Sequence, residues 1–190
     1  MTRSRIIQFG TLVLTTILLA LTARAAETES RHAPPKAAAA APPVQRLGGV
    51  GAWNAYLYKE KSGRVCYLAG GPKKTEPAHF RRRPPSAMVT HRPQENVADV
   101  ISFNEGAPLK EGSDVSLEVD GTHFDLFTKG DTAWSRTSDL DRTIVAAMAK
   151  GRQAILRAVP QKGPPVIDTY SLSGFAQTLA LIDKACGVKR

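Results

Sequence analysis

The stretch Asp168-Thr169-Tyr170-Ser171-Leu172-Ser173-Gly174-Phe175, running on to Cys186, reads as a strand end, a polar turn and then a helix. Ser171 or Ser173 is expected to cap that helix by accepting a hydrogen bond from a free N–H of its first turn. Leu172, Phe175, Ala176, Leu179, Ile182 and Cys186 follow at three- and four-residue steps, which puts them on one face. Gln177, Thr178, Asp183 and Lys184 fall on other sides, and Gly187 suits a left-handed closing residue. A helix with one apolar stripe needs a surface to lie on, and Cys186 sits on the stripe that would meet it.

The chain upstream supplies strands for that surface. Trp53, Ala55 and Leu57 alternate with Asn54, Tyr56 and Tyr58, and Ser62-Gly63 then turns the chain into Arg64–Ala69. Gly70 to Pro85 is rich in proline, glycine and charge and reads as a long loop; 87–91 and 97–103 return as strands. Asp120-Gly121 is a two-residue turn signal because both positions favour positive φ. It sets Val119 opposite Thr122, Leu117 opposite Phe124 and Val115 opposite Leu126, with Glu118 facing His123 on the other side. A helix follows Trp134, capped by Thr137 or Ser138, with Asp139 and Asp141 in its first turn, Leu140, Ile144, Val145 and Met148 on its apolar face, and Gly151 at its end. Strands at 153–159 and 166–170 complete the count. About eight short strands and two late helices predict a mainly β fold, a single antiparallel β-sandwich or flattened barrel with the C-terminal helix packed on the sheet.

Residues 1–25 have the form of a secretory signal: Arg3 and Arg5, a mostly apolar run from Ile6 to Leu21, and Ala23-Arg24-Ala25 before a cut between Ala25 and Ala26. The apolar run is short for a ~30 Å bilayer core, which favours cleavage over an uncleaved anchor. Residues 26–47 are Ala- and Pro-rich without a periodic apolar face and are expected to be a disordered linker, leaving 48–190 as the folded domain. Export places Cys66 and Cys186, the chain's two cysteines, in an oxidising compartment. An even pair there reads as a disulfide rather than a metal site or a nucleophile. The whole chain carries a formal charge of +9, and losing Arg3, Arg5 and Arg24 leaves the exported part still basic. That balance favours contact with lipopolysaccharide, phospholipid or acidic glycans, and a basic but otherwise inert soluble protein would show it equally. Nucleic acid gives the same signal, but an exported protein rarely meets it.

Chemistry is harder to place. His32, His79, His91 and His123 lack the H-x-H or H-x-x-x-H spacing of a metal site. Glu118 and His123 form a cross-strand pair on the solvent side, the usual setting of a surface ion pair rather than of an acid–base couple. Ser171 and Ser173 sit at a strand-to-helix turn, yet Thr169 stands where a nucleophile elbow needs glycine. Lys162-Gly163 lacks the glycine-rich start of a phosphate loop, and Asp131 and Asp168 read as ordinary loop and turn acids. No catalytic residue, cofactor or metal is therefore assigned. Arg81-Arg82-Arg83, between His79-Phe80 and Pro84-Pro85, is the most suggestive feature, three guanidinium forks suited to phosphate or carboxylate, with a plain solvated loop as the alternative. Trp53 and Trp134 are expected in the core.

The run DTYSLSGF with Leu179, Ile182 and Cys186 resembles the C-terminal signature of the invasion-associated locus B family of Gram-negative bacteria. Trp53, Val65-Cys66-Tyr67-Leu68, Val89-Thr90-His91-Arg92-Pro93, Leu109-Lys110-Glu111-Gly112-Ser113 and Gly130-Asp131-Thr132-Ala133-Trp134 match in the same order. The chain departs at Lys162-Gly163-Pro164-Pro165, where the family has an Arg-Gly-Thr-like turn. The resemblance implies a small exported protein, periplasmic, outer-membrane-associated or secreted, with a part in host-cell interaction in pathogenic members. It implies a non-enzymatic binding or surface-interaction module. A periplasmic hydrolase that gathers two of His91, His123, Asp131 and Ser171 is the first alternative. An accessory subunit holding a partner by an open sheet edge or apolar patch is the second.

Overall fold

The computed structural model describes residues 42–190, which form one mainly β unit. Its strands are β1 (Gln45–Val50), β2 (Trp53–Glu60), β3 (Gly63–Gly70), β4 (Lys74–Glu76), β5 (Ser86–Arg92), β6 (Val97–Asn104), β7 (Val115–Val119), β8 (Thr122–Lys129), β9 (Thr132–Trp134), β10 (Gln153–Ala158) and β11 (Val166–Ser171). The helices are α1 (Ser138–Lys150) and α2 (Phe175–Cys186). All pairings are antiparallel, in the order β1-β2-β3-β5-β6-β9-β8-β7-β10-β11-β4. The sheet is open, ending at β1 and β4, so of the two expected architectures the barrel is not realised.

β8 joins the two halves. Its first residues, Thr122–Leu126, pair with β7, and Phe127–Lys129 pair with β9. The halves share one core: Phe103 on β6 meets Tyr170 on β11 edge-on at 5.7 Å, and Trp53 on β2 meets Phe175 of α2 edge-on at 4.9 Å. The Trp53 indole N–H donates to the Ser171 carbonyl at 2.9 Å, so this large buried ring leaves no polar atom unpaired. The disulfide Cys66–Cys186 ties β3 to the end of α2 across 120 residues.

The eight expected strands are all present. β1, β4 and β9 are additions: β4 and β9 have three residues each, too few for a period to show, and β1 lies partly in the expected linker. The linker boundary is thus corrected, because Gln45 to Leu47 are strand; the leader, the Ala25–Ala26 cut and residues 26–41 lie outside the described residues. The hairpin has the expected register, with Asp120 at φ 45 and Gly121 at φ 89. Thr137 caps α1, its hydroxyl accepting from the Leu140 N–H at 3.2 Å.

α2 starts differently from the expectation. Neither serine caps it; Gly174 stands at the N-cap in the left-handed region, φ 88, and the turn passes so close to β1 that a Cβ there would lie 2.4 Å from the Val50 carbonyl oxygen. Packing against β1 dictates the turn, and only glycine fits. Thr178, not Ala176, lies on the buried face, its hydroxyl accepting from the Val50 N–H at 3.2 Å. Gly187 closes the helix at φ 70, as its place in the sequence predicts.

Candidate binding face on the outer sheet

An antiparallel sheet with one face on the core usually turns polar side chains to water from the other. The half made of β7, β10 and β11 is largely of that kind, presenting Ser116, Glu118, Arg157 and Thr169 with Ile155 and Ile167 between them, and Glu118 accepts from Arg157 at 3.1 Å. The half made of β2, β3, β5, β6 and β9 is not. Its registers set Tyr56 beside Tyr67, Thr90 and Val100 in one row. Tyr58, Val65 and Arg92 form a second row, and Met88, Ser102, Trp134 and Phe127 a third. Tyr56 and Tyr67 stack at 5.0 Å and 21°, and Tyr58 meets Tyr67 edge-on at 5.9 Å. These rows, apart from Tyr56 and Phe127 at their margins, line a concavity of about 480 Å³, within the size range of ligand sites. Trp134, expected in the core, is half-buried and stands on this face. Trp134 directly follows Ala133, the buried partner of Phe103 on β6, and neighbouring strand residues point to opposite sides.

Charge is distributed around the face unevenly. Arg92 is neutralised by Glu60 at 2.6 Å. Arg46, opposite Tyr56 on β1, donates to the Asn54 side-chain oxygen at 2.7 and 3.2 Å, and Arg136 lies 5.6 Å from the centre of the Phe127 ring. Among the described residues neither guanidinium has a carboxylate partner.

The arginine triplet divides into three fates. Arg81 is exposed. Arg83 pairs with Asp131 at 2.6 Å in a largely exposed bridge. Arg82 turns inward and is removed from any surface contact: its side chain is 3% exposed, bound to Glu105 at 2.7 Å and to Asp168 at 2.5 Å. Thr75 of β4 adds a hydrogen bond to Asp168 at 2.6 Å. A loop, unlike a buried strand, can bend one long side chain under itself while its neighbours stay in water. Burial and the nearby Asp168 push the Glu105 carboxyl up to about 8.

His91 is fully buried beneath α2. A bulge in β6 sets Asp99 at φ 63 and aims its backbone N–H at His91 Nδ1, 3.0 Å away. The proton is therefore on Nε2, which donates to Asp183 at 2.9 Å. Arg190 closes the group by bonding Asp183 at 2.6 Å and Asp99 at 2.7 Å. Burial would raise the Asp183 carboxyl, but hydrogen bonds from His91 and Arg190 outweigh it and hold it below its ordinary value. His91, Asp99 and Asp183 come close enough together to surround an ion. Metal binding through Nε2 would require the proton to move to Nδ1, against the Asp99 N–H that already points there. The sequence could not show this group, because its members are brought together only by the fold.

The other candidates stay apart. His123 and His79 are exposed, His123 makes no bond to Glu118, and Asp131 serves Arg83 and Thr132. Ser171 lies beside the start of α2, accepting a long 3.4 Å contact from the Ser173 N–H. No hydrogen bond among the described residues joins any two of His91, His123, Asp131 and Ser171.

The sequence model of the family described as "Invasion associated locus B (IalB) protein" matches residues 53–183. The chain belongs to the IalB family. Its fold is similar to the crystal structure of invasion associated protein B from Bartonella henselae, with a TM-score of 0.52 and 16% identity over 74% of this chain and 97% of that one. No curated protein sequence matches the chain. The matched region runs from the buried Trp53 to Asp183, the acceptor of the His91 proton, and so takes in both the IalB core and the aromatic outer face. No helix among the described residues is long and apolar enough to cross a membrane.

Proposed function

We propose that this IalB protein is an exported, non-enzymatic envelope protein that works by binding, and that the outer face of β2, β3, β5, β6 and β9 is its contact surface. One observation carries this reading: Tyr58, Tyr67, Met88 and Trp134 stand half-exposed around a concavity, with Tyr56 stacked on Tyr67 beside it, where a sheet facing water would carry polar side chains. The groups that chemistry would need are tied up elsewhere, Arg82 and Asp168 with each other, His91 with Asp183. The disulfide fits an oxidising compartment beyond the inner membrane. The solved relative's name, invasion associated protein B, fits a role at the cell surface. The partner on this reading is an anionic envelope or host surface, with Arg81 and Arg83 as auxiliary contacts.

Binding of the oxidised protein to lipopolysaccharide and to anionic vesicles over a salt series tests the proposal. Tyr67→Ala is expected to weaken attachment strongly, and Arg81→Ala/Arg83→Ala only mildly. A Tyr67→Ala variant that folds and binds like the parent would remove the face from the proposal. A second reading, an accessory subunit that accepts a partner strand, is favoured by β1, which ends the sheet, follows the exposed Val44 and ends on the exposed Val50.

A further inference from the structure

Resting on that reading of the outer face, we infer that its ligand is an acidic polysaccharide chain. Its rings lie on Tyr56, Tyr67 and Trp134, and its carboxylates are held by Arg46 and Arg136. A pyranose ring is apolar across its C–H-bearing faces and polar along its edge. The concavity matches that division: among its aromatic and aliphatic side chains stand the hydroxyls of Thr90 and Ser102, which make no side-chain hydrogen bond among the described residues. An acyl chain would gain nothing from those hydroxyls and would leave them buried without partners.

Charge and span narrow the ligand further. Arg46 and Arg136 lie at opposite sides of the face and have no carboxylate partner among the described residues, whereas Arg92, between them, is already paired with Glu60. From β1 to β9 the strand order makes five steps, about 24 Å at the usual spacing. A single headgroup cannot reach both arginines; an extended chain of rings with regularly placed acids can. Planar forks favour carboxylates at such positions. Single-stranded nucleic acid also combines flat rings with negative charge, but the disulfide belongs to a compartment where polysaccharide is the common polyanion.

Titration calorimetry of the oxidised full chain with a polygalacturonate oligomer, its carboxyl-reduced neutral counterpart and a short oligodeoxynucleotide tests the inference. The acidic sugar is expected to bind, more weakly as salt rises, and the neutral sugar at least about tenfold more weakly. Arg46→Gln/Arg136→Gln, both exposed positions, should cost about tenfold on the acidic sugar and flatten its salt dependence, whereas Tyr67→Ala should weaken both sugars. Equal binding of the two sugars, tighter binding of the oligonucleotide, or an unchanged arginine variant would overturn the inference. If no sugar binds while Tyr67→Ala still abolishes vesicle attachment, the ligand class is wrong and the binding face stands. If Tyr67→Ala changes neither, both fall.

Discussion

Arg82 and Asp168 are 86 residues apart and meet by one guanidinium nitrogen that donates to both carboxylate oxygens, at 2.6 and 2.5 Å, with both side chains nearly sealed from water. The pair fastens the Arg-rich loop to β11, and Thr75 carries the same carboxylate to β4.

Replacing Arg82 therefore leaves a buried carboxylate without its counter-charge. Arg82→Ala is expected to destabilise the fold by about 3–5 kcal/mol. Arg83→Ala, which breaks a largely exposed bridge, should cost about 0–1 kcal/mol. Denaturant midpoints of the two variants compare them directly; similar losses would mean that Arg82 is not the anchor.

Glu105 keeps its proton to about pH 8 in the folded state, while the unfolded chain loses it near the ordinary 4.5. Between those values the folded state binds one proton more, so stability falls as pH rises from about 4.5 to about 8, by at most about 1.4 kcal/mol per pH unit. Below that window the contribution is fully present. Asp183 acts at lower pH, because its folded value is depressed and its stabilisation is lost only as the medium becomes more acid. Glu105→Gln should flatten the fall, and a slope unchanged in that variant would assign it to another group.

Reduction of Cys66–Cys186, or Cys66→Ser/Cys186→Ser, releases a loop whose ends lie 120 residues apart. The chain-entropy account gives a loss of about 4–5 kcal/mol at that length, and measured losses for native bridges run at about 2–5. A thermal melt with and without reductant reads it, and a shift within error would show that the unfolded chain gains little freedom from release.

His91 offers a metal no free lone pair while Asp99 N–H points at Nδ1. Zinc or a chelator is accordingly expected to leave the melting temperature unchanged. Stabilisation by zinc that His91→Gln abolishes would reverse the tautomer assignment.

At Gly174 any Cβ meets the backbone of Val50 and a left-handed φ as well. Gly174→Ala should cost more than about 1 kcal/mol, since neither the strand nor the turn can retreat without the other. A neutral effect on the urea midpoint would show that β1 yields.

Eight of the strands and both helices were legible because each carries alternating or stepped apolar residues, and the hairpin because Asp120-Gly121 fixes its register; β1 was not, since its Gly48-Gly49 and exposed residues show no alternation. β4 and β9 were not, since three residues hold no period and their pairing depends on β11, β6 and β8 far off in sequence. Cys66 and Cys186 could be paired by elimination, and the structure joins them. The triplet at Arg81 was visible as charge, but nothing local distinguishes Arg82 from its neighbours; its partners Glu105 and Asp168 look like ordinary acids. The aromatic face was half visible: Tyr56 and Tyr58 alternate with the core residues of β2, yet only strand order shows that Tyr67, Met88 and Trp134 lie on the same side.

β4 finds its place only beside β11, and the indole of Trp53 finds its acceptor only at Ser171, 118 residues later. On a ribosome β1, β2, β3 and β5 are thus made long before the helix that covers them. For that interval the inner sides of β2, β3 and β5 have neither α2 nor the second half of the sheet against them. Folding of this topology is expected to wait for the last helix rather than to proceed along the chain, and until then its apolar strands are the kind of surface that holding factors keep apart.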